Sequence, residues 1–112
     1  MIIKKTCNFE YEEKDGRFCI QLVGEIDHHS AVAVRSAIDA KLYEFRPRHT
    51  VLDLSGIDFM DSSGIGLVMG RFKLLKSIGG KIKVTNLSPG AYKVMCLAGI
   101  ERLGEVKQKE VI

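Results

Sequence analysis

The 112-residue chain has no apolar run that approaches the roughly 18–20 residues needed to span a membrane. Its opening stretch, MIIKKTCNFEYEEKDG, also lacks an extended apolar segment followed by a cleavage site, so we expect no secretory signal. Hydrophobic residues make up 46% of the chain and charged residues 28%, which is typical of a soluble globular protein with one core. We therefore predict a single domain over residues 1–112 with no membrane partner.

Metal-binding and disulfide patterns are also missing from the sequence. The three cysteines, Cys7, Cys19 and Cys96, are scattered and form no C-x-x-C pair. This spacing argues against a disulfide framework or a zinc site and favours the reducing cytoplasm. His28 and His29 are adjacent, so on a helix they point in different directions and cannot easily share an ion. We expect no metal and no cofactor.

The chain has little excess charge of either sign. Its formal net charge is +3, which is too small to indicate nucleic-acid binding by itself. Lysines cluster at positions 73, 76, 81 and 83, but no aromatic residues alternate with them. A binding footprint for nucleic acid needs a concentrated basic face, so no direct nucleic-acid partner is predicted.

The first half of the sequence predicts a hairpin, a helix and a buried strand. TCNFEYEE and RFCIQLVG alternate apolar and polar residues around an Asp15-Gly16 turn. A helix follows, capped by Asp27 and stopped before Pro47. The run HTVLDLSG predicts a third strand that is buried on both faces, as in the centre of a parallel sheet. The apolar positions at helical spacing are Ala31, Val34, Ile38, Leu42 and Phe45.

The second half predicts two more helices and a fourth strand. VLDLSG runs through a short turn, IDFMD, into a helix that starts at Ser62 or Ser63 and ends near Ile78. KIKVTN is the fourth strand, and LSPGAYKVMCLAGI starts a third helix capped by Ser88. The tail GEVKQKEVI fits either a short edge strand or a final helical turn. The order β-β-α-β-α-β-α predicts an α/β fold with a mixed, partly parallel sheet.

The segment DSSG, at the junction of a strand and a helix, allows three chemical roles for its serines. Either serine can cap the helix, and Ser63 is the one expected to do so. A catalytic nucleophile is disfavoured, because the segment matches neither G-x-S-x-G nor S-x-x-K and no histidine is placed beside it. The third role is phosphorylation of one of the serines, since a phosphate can be accommodated at a helix N-terminus and would block a partner packed over it.

Three glycines follow the serines in the first half of the same helix. Each of Gly64, Gly66 and Gly70 costs about 1 kcal/mol relative to alanine in a helix interior. Three such costs indicate a packing requirement: either the helix lies close on the sheet, or another chain approaches its backbone. GIGLVMG does not match a dinucleotide-binding or phosphate-binding glycine pattern.

The segments LVGEIDHHSA and FMDSSGIGLVMGRFKLLKSIGG resemble a known family. They are similar to the STAS domain of bacterial anti-sigma-factor antagonists, and GEIDHH makes the similarity strongest to the stage II sporulation protein AA type of the sigma-F pathway. The resemblance implies a mixed four- to five-stranded sheet with helices packed mainly on one side. It also implies a regulator that is not an enzyme.

The resemblance further implies a phosphorylation switch at Ser62. The unphosphorylated form binds an anti-sigma factor, which is also the serine kinase, and so releases the sporulation sigma factor; a PP2C-type phosphatase reverses the modification. Asp27 is implied to face the partner or orient a loop near the switch turn. Two alternatives remain: a nucleotide- or small-ligand-sensing STAS module, and an antagonist in a related stress-response sigma pathway. The residues that match the switch turn are Asp61, Ser62, Ser63, Gly64 and Gly66. Ile65 stands where leucine is common in the family, and we expect it to belong to the same partner-binding turn.

Overall fold

The computed structural model describes residues 7–102 and 104–108. The predicted β-β-α-β-α-β-α order is confirmed, and within the tail residues 105–108 form an edge strand rather than a helical turn. Residues 109–112 of that tail lie outside the described residues. The elements are β1 (Cys7–Lys14), β2 (Arg17–Ile26), α1 (His28–Phe45), β3 (His49–Met60), α2 (Ser62–Ser77), β4 (Lys81–Leu87), α3 (Pro89–Leu97), a 3-10 turn (Ile100–Arg102) and β5 (Glu105–Gln108).

The five strands form one mixed sheet in the order β1-β2-β3-β4-β5. Strands β1 and β2 pair antiparallel through the predicted hairpin, whose turn residues Asp15 and Gly16 have φ of 53° and 80°. Positive φ at both central residues suits the twist of a two-residue hairpin. The pairs β2–β3, β3–β4 and β4–β5 are all parallel, so these four strands end at the same edge of the sheet.

Burial alternates along β3, so the prediction that this strand is buried on both faces is wrong. Thr50, Leu52 and Leu54 are buried beneath the helices, whereas Val51 and Asp53 on the other face are only half-buried. The helices cover one face, and we call the opposite one the open face of the sheet. The sequence HTVLDLSG hid this alternation because valine occupies an open-face position.

The covered face and the helices share one hydrophobic core. Phe18, Ile20 and Leu22 of β2 pack against apolar residues of all three helices, and each is at most 1% exposed. Burial of this apolar surface is the main source of folding free energy. Within the described residues, no helix is both long and apolar enough to cross a membrane.

An ion pair between Asp39 and Arg71 joins α1 to α2 beside this core. Arg71 Nε lies 2.7 Å from Asp39 Oδ1, and Nη2 donates a hydrogen bond to Oδ2 at 3.2 Å. Arg71 Nη1 also donates to the backbone oxygen of Leu67 at 3.3 Å. Burial raises the pKa of Asp39 and lowers the pKa of Arg71, because the loss of hydration outweighs the mutual attraction. The pair therefore fixes the helices' geometry at an electrostatic cost.

We expect Asp39→Ala to lower the free energy of unfolding by about 2–4 kcal/mol, because it leaves the Arg71 guanidinium buried without a counter-charge. The double replacement Asp39→Leu with Arg71→Met removes both charges and should recover most of that loss. Urea unfolding followed by circular dichroism measures both effects. Glu44→Ala is the matched control; it breaks the exposed Lys41–Glu44 pair (3.3 Å) and should cost less than about 1 kcal/mol. A double variant as unstable as Asp39→Ala would contradict the electrostatic origin of the loss.

Candidate functional site

All three helices begin at the same edge of the sheet, which we call the helix-start edge (residues 23–29, 55–65 and 86–91). Each helix starts directly after a parallel strand, so its first residue follows the end of β2, β3 or β4. The residue between strand and helix is an N-cap in every case. Asp27 accepts from Ser30 N at 2.8 Å, Asp61 from Ser63 N at 2.8 Å, and Ser88 from Ala91 N at 3.2 Å.

Asp61, not a serine, caps helix α2. Its backbone is extended, and its carboxylate accepts the amide hydrogen of Ser63. The prediction that Ser63 or Ser62 caps the helix is therefore wrong: both serines lie inside the first turn. Aspartate and serine are nearly equivalent as caps, so sequence alone could not choose between neighbouring positions. The cap leaves both serine hydroxyls free of that role.

Ser62 is the first residue of α2 and its side chain is exposed. Its hydroxyl makes no hydrogen bond with any residue that the structure describes. Ser63 is half-buried, and its amide is the one held by Asp61. Of the two serines, Ser62 is thus the one whose hydroxyl an approaching protein can reach.

The glycines of α2 have different surroundings. Gly64 is buried, and a Cβ there would collide with the side chain of Met60 and lie 3.4 Å from Ile26 Cγ2. A Cβ added at Gly66 or Gly70 would meet no atom of the described residues within 4 Å. The packing requirement inferred from the sequence therefore holds for Gly64 only. At Gly66 and Gly70 the helix backbone faces open space, which another chain could occupy.

Asp27 lies next to the switch turn because β2 and β3 are in register at their ends. Ile26 pairs with Met60, and the amide of Asp61 donates to the Ile26 oxygen at 3.1 Å. Asp27 also forms a capping box: its own amide donates to Ser30 Oγ at 2.9 Å. The hydrogen bond from the Ser30 amide lowers the pKa of Asp27, so its carboxylate is ionised at neutral pH.

A cavity of about 640 Å³ opens beside Ser62, between the end of β3 and the starts of α2 and α3. Ile65 lies in its wall, and Phe59 and Val94 are 51% and 45% exposed. The described residues that line it include the carboxylates of Asp58 and Asp61 but no lysine, arginine or histidine. This charge disfavours the phosphates of a nucleotide, whereas the apolar walls suit side chains of a protein partner.

Sequence reasoning missed Phe59 and Val94. The segment IDFMD was predicted to be a turn, but β3 continues to Met60 and pairs Phe59 with Glu25 after a register shift. Apolar residues at alternate positions, Ile57 and Phe59, were the sequence signal for this longer strand. Val94 lies on α3, and only the tertiary structure brings that helix to the site.

The helix-start edge is acidic. Its three segments contain Glu25, Asp27, Asp58 and Asp61 and no lysine or arginine. His28 and His29 are exposed, with ring centroids 5.8 Å apart. Among the described residues, no group of three or more histidine, cysteine, aspartate or glutamate side chains could hold a metal ion.

Comparison with known proteins identifies the family. The STAS domain model matches residues 8–111. An anti-sigma F factor antagonist from Paenibacillus polymyxa is 33% identical over 102 residues, which cover 91% of this chain and 87% of the relative. An anti-sigma-B factor antagonist from Bacillus subtilis is 28% identical, and the match covers 91% of this chain and 92% of that relative.

Two solved structures of the anti-sigma factor antagonist SpoIIAA have the same fold. The unphosphorylated form has a TM-score of 0.72 and 30% identity, and it covers 88% of this chain and 87% of its own. The phosphorylated form, from Bacillus, has a TM-score of 0.71 and 30% identity, with 88% and 90% coverage. The chain therefore belongs to the STAS domain family, and over nearly its whole length it is similar to anti-sigma factor antagonists.

Proposed function

We propose that this chain is an anti-sigma F factor antagonist whose binding is switched by phosphorylation of Ser62. The unphosphorylated form binds an anti-sigma factor that is also a serine kinase, and so releases the sporulation sigma factor in the cytoplasm. The observation that carries the proposal is the exposed hydroxyl of Ser62 at the start of α2, beside an apolar cavity and unbonded to any described residue. The similarity to SpoIIAA, solved in both phosphorylation states, supports it.

The partner's docking surface in this proposal is the outer side of α2 and the adjoining cavity. Ile65 and Phe59 offer apolar contacts, and the bare backbone at Gly66 allows close approach of another chain. Asp27 and Asp61 lie at the rim, where they help to orient the partner. Such a surface, with an apolar centre and a charged rim, has the anatomy of a protein–protein interface.

Phosphorylation opposes this docking through the Asp61 cap. A phosphate adds about −1.5 to −2 charges at neutral pH. The nearest first-turn amide, that of Ser63, already donates to the Asp61 carboxylate, so the phosphate would meet a negative charge there. Repulsion directs the phosphate outward, into the space where the partner docks. Burying it there without a counter-charge is costly, and binding is lost.

The chain is the substrate of the kinase rather than an enzyme in this scheme. Among the described residues, no histidine or lysine lines the cavity beside Ser62, so no side chain there suits the role of a general base for the serine. The catalytic groups for phosphoryl transfer from ATP are therefore assigned to the anti-sigma factor kinase. Removal of the phosphate, which restores binding, is assigned to a PP2C-type serine phosphatase.

We expect Ser62→Asp to weaken binding to the cognate anti-sigma factor about 100-fold, because it places a carboxylate beside Asp61 at the docking surface. Ser62→Ala should bind as the unmodified chain does and should not be phosphorylated. Isothermal titration calorimetry measures the affinities, and mass mapping after incubation with ATP locates the phosphate. Ser63→Ala is the matched control and should still be phosphorylated.

Two results would contradict the switch at Ser62: a Ser62→Asp variant that binds as tightly as the unmodified chain, or a Ser62→Ala variant phosphorylated to full stoichiometry. The same assay with the anti-sigma kinases of the sigma-F and stress-response sigma-B pathways decides the pathway. Tighter binding to the sigma-B kinase and faster phosphorylation by it would reject the assignment to the sigma-F pathway. The proposed phosphorylation switch at Ser62 would still stand.

The Gly66→Ala substitution distinguishes an effect on the stability of the chain from an effect on its binding to the partner. Alanine has the higher helix propensity, and its Cβ meets no atom of the described residues, so we expect the free energy of unfolding to rise by about 0.5–1 kcal/mol. The same methyl group protrudes into the docking surface, so binding to the anti-sigma factor should weaken about tenfold. Gly70→Ala, one turn farther from Ser62, is the matched control and should stabilise the chain with a smaller loss of affinity. Full affinity in a stabilised Gly66→Ala variant would show that the partner does not approach this backbone.

A further inference from the structure

A second recessed surface lies on the open face of the sheet, at the end opposite the helix-start edge. It has a volume of about 920 Å³. It runs across the starts of the parallel strands and around the end of the sheet where these strands begin. Among its described lining residues, six are lysine or arginine and three are glutamate. We call it the basic groove; its basic residues are Lys14, Arg17, His49, Lys76, Lys81, Lys83 and Arg102.

Four of these residues form one row across four adjacent strands. Lys14 pairs with Arg17 across the hairpin, Arg17 with His49, and His49 with Lys81. All four are exposed, and neighbouring strands lie about 4.8 Å apart, so the row spans about 14 Å. Like charges directly opposite each other on neighbouring strands are destabilising. The fold thus carries an electrostatic cost where Lys14 and Arg17 lie opposite each other.

Carboxylates of the described part of the chain lie near the row, but they form no salt bridge with its lysines or arginine. Neither Lys14, Arg17 nor Lys81 makes a salt bridge with a described residue. Three carboxylates also line the groove, those of Glu12, Glu101 and Glu105, and Glu105 is paired with Lys107 at 3.7 Å. The guanidinium of Arg48 lies over Gly16 in the hairpin turn and adds further positive charge to this end.

The geometry favours an extended acidic peptide over nucleic acid as the ligand. Same-side residues of an extended chain are about 6.7 Å apart, so three carboxylates span the row of about 14 Å. Binding of single-stranded nucleic acid normally needs exposed aromatic rings on which bases stack. Among the described lining residues the one phenylalanine, tyrosine or tryptophan is Phe18, which is 1% exposed and faces the core.

We infer that the basic groove docks an extended acidic segment of a partner protein, at the end of the sheet opposite Ser62. Lys14, Arg17 and Lys81 contact the carboxylates, and the half-buried Val51 forms part of the floor. This docking adds to the proposed phosphorylation switch and does not depend on it. Binding of the partner at the basic groove does not depend on whether Ser62 is phosphorylated.

The test uses a fluorescein-labelled decaglutamate peptide and fluorescence anisotropy. The full chain should bind it at low salt and release it as salt rises, since the attraction is electrostatic. Arg17→Glu with Lys81→Glu should weaken binding about tenfold. The matched control, Lys73→Glu with Lys93→Glu, changes the net charge equally at exposed helix positions and should weaken it less than about twofold. Ser62→Asp should bind the peptide as the unmodified chain does.

Three results would overturn the inference: no binding of decaglutamate, an equal loss in the control variant, or tighter binding of a labelled decathymidylate. A neutral variant, Arg17→Gln with Lys81→Gln, controls for misfolding. The loss of Arg17 removes the like charge opposite Lys14, so the thermal midpoint of this variant should rise at low salt. It too should lose peptide affinity. Loss of peptide binding in Ser62→Asp would contradict independence from the switch, while the anti-sigma factor titrations test the proposed function separately.

Discussion

The parallel pairing of β2 with β3 positions the rest of the site. Ile26 lies beside Met60 at the ends of these strands, and the Asp61 amide donates to the Ile26 oxygen. Each strand is followed directly by an aspartate cap, so α1 and α2 start side by side. Gly64 then lets α2 lie close on Met60 and Ile26, because a Cβ at this position would collide with the Met60 side chain. A shift of one residue in this pairing would turn the inward side chains outward and separate the two caps.

The division of tasks between Asp61 and Ser62 follows from this arrangement. A helix N-terminus needs acceptors for its unpaired amides, and the residue that supplies one is no longer free for other chemistry. Asp61 takes that task by accepting the Ser63 amide. Ser62 can therefore present its hydroxyl to solvent without loss of helix stability. In the proposed switch, a change of side chain at Ser62 therefore alters binding while leaving the fold intact.

The sequence was informative where local interactions decide the structure. The Asp15-Gly16 hairpin, the caps at Asp27 and Ser88 and the helix boundaries were all predictable, because each depends on residues near in sequence. The open face of the sheet was not, since it depends on which strands pair and which face the helices cover. The extension of β3 through Phe59 had only the alternation of Ile57 and Phe59 as a local signal. The prediction of the α2 cap failed for another reason. Adjacent aspartate and serine have almost equal capping preference, and backbone geometry decided between them.

The two ends of the sheet carry charge of opposite sign, and the distance between them matters for regulation. From His49 in the basic groove to Met60 beside the switch turn, β3 runs for 11 residue steps, or roughly 36 Å at the usual strand rise. The Debye length at physiological salt is about 8 Å, so a phosphate on Ser62 is screened from the groove by several such lengths. In the proposed scheme, phosphorylation of Ser62 therefore opposes docking at one end of the sheet without weakening the attraction at the other. In that scheme the kinase and the phosphatase act on opposite phosphorylation states of Ser62, and the basic groove is a surface that stays the same for both.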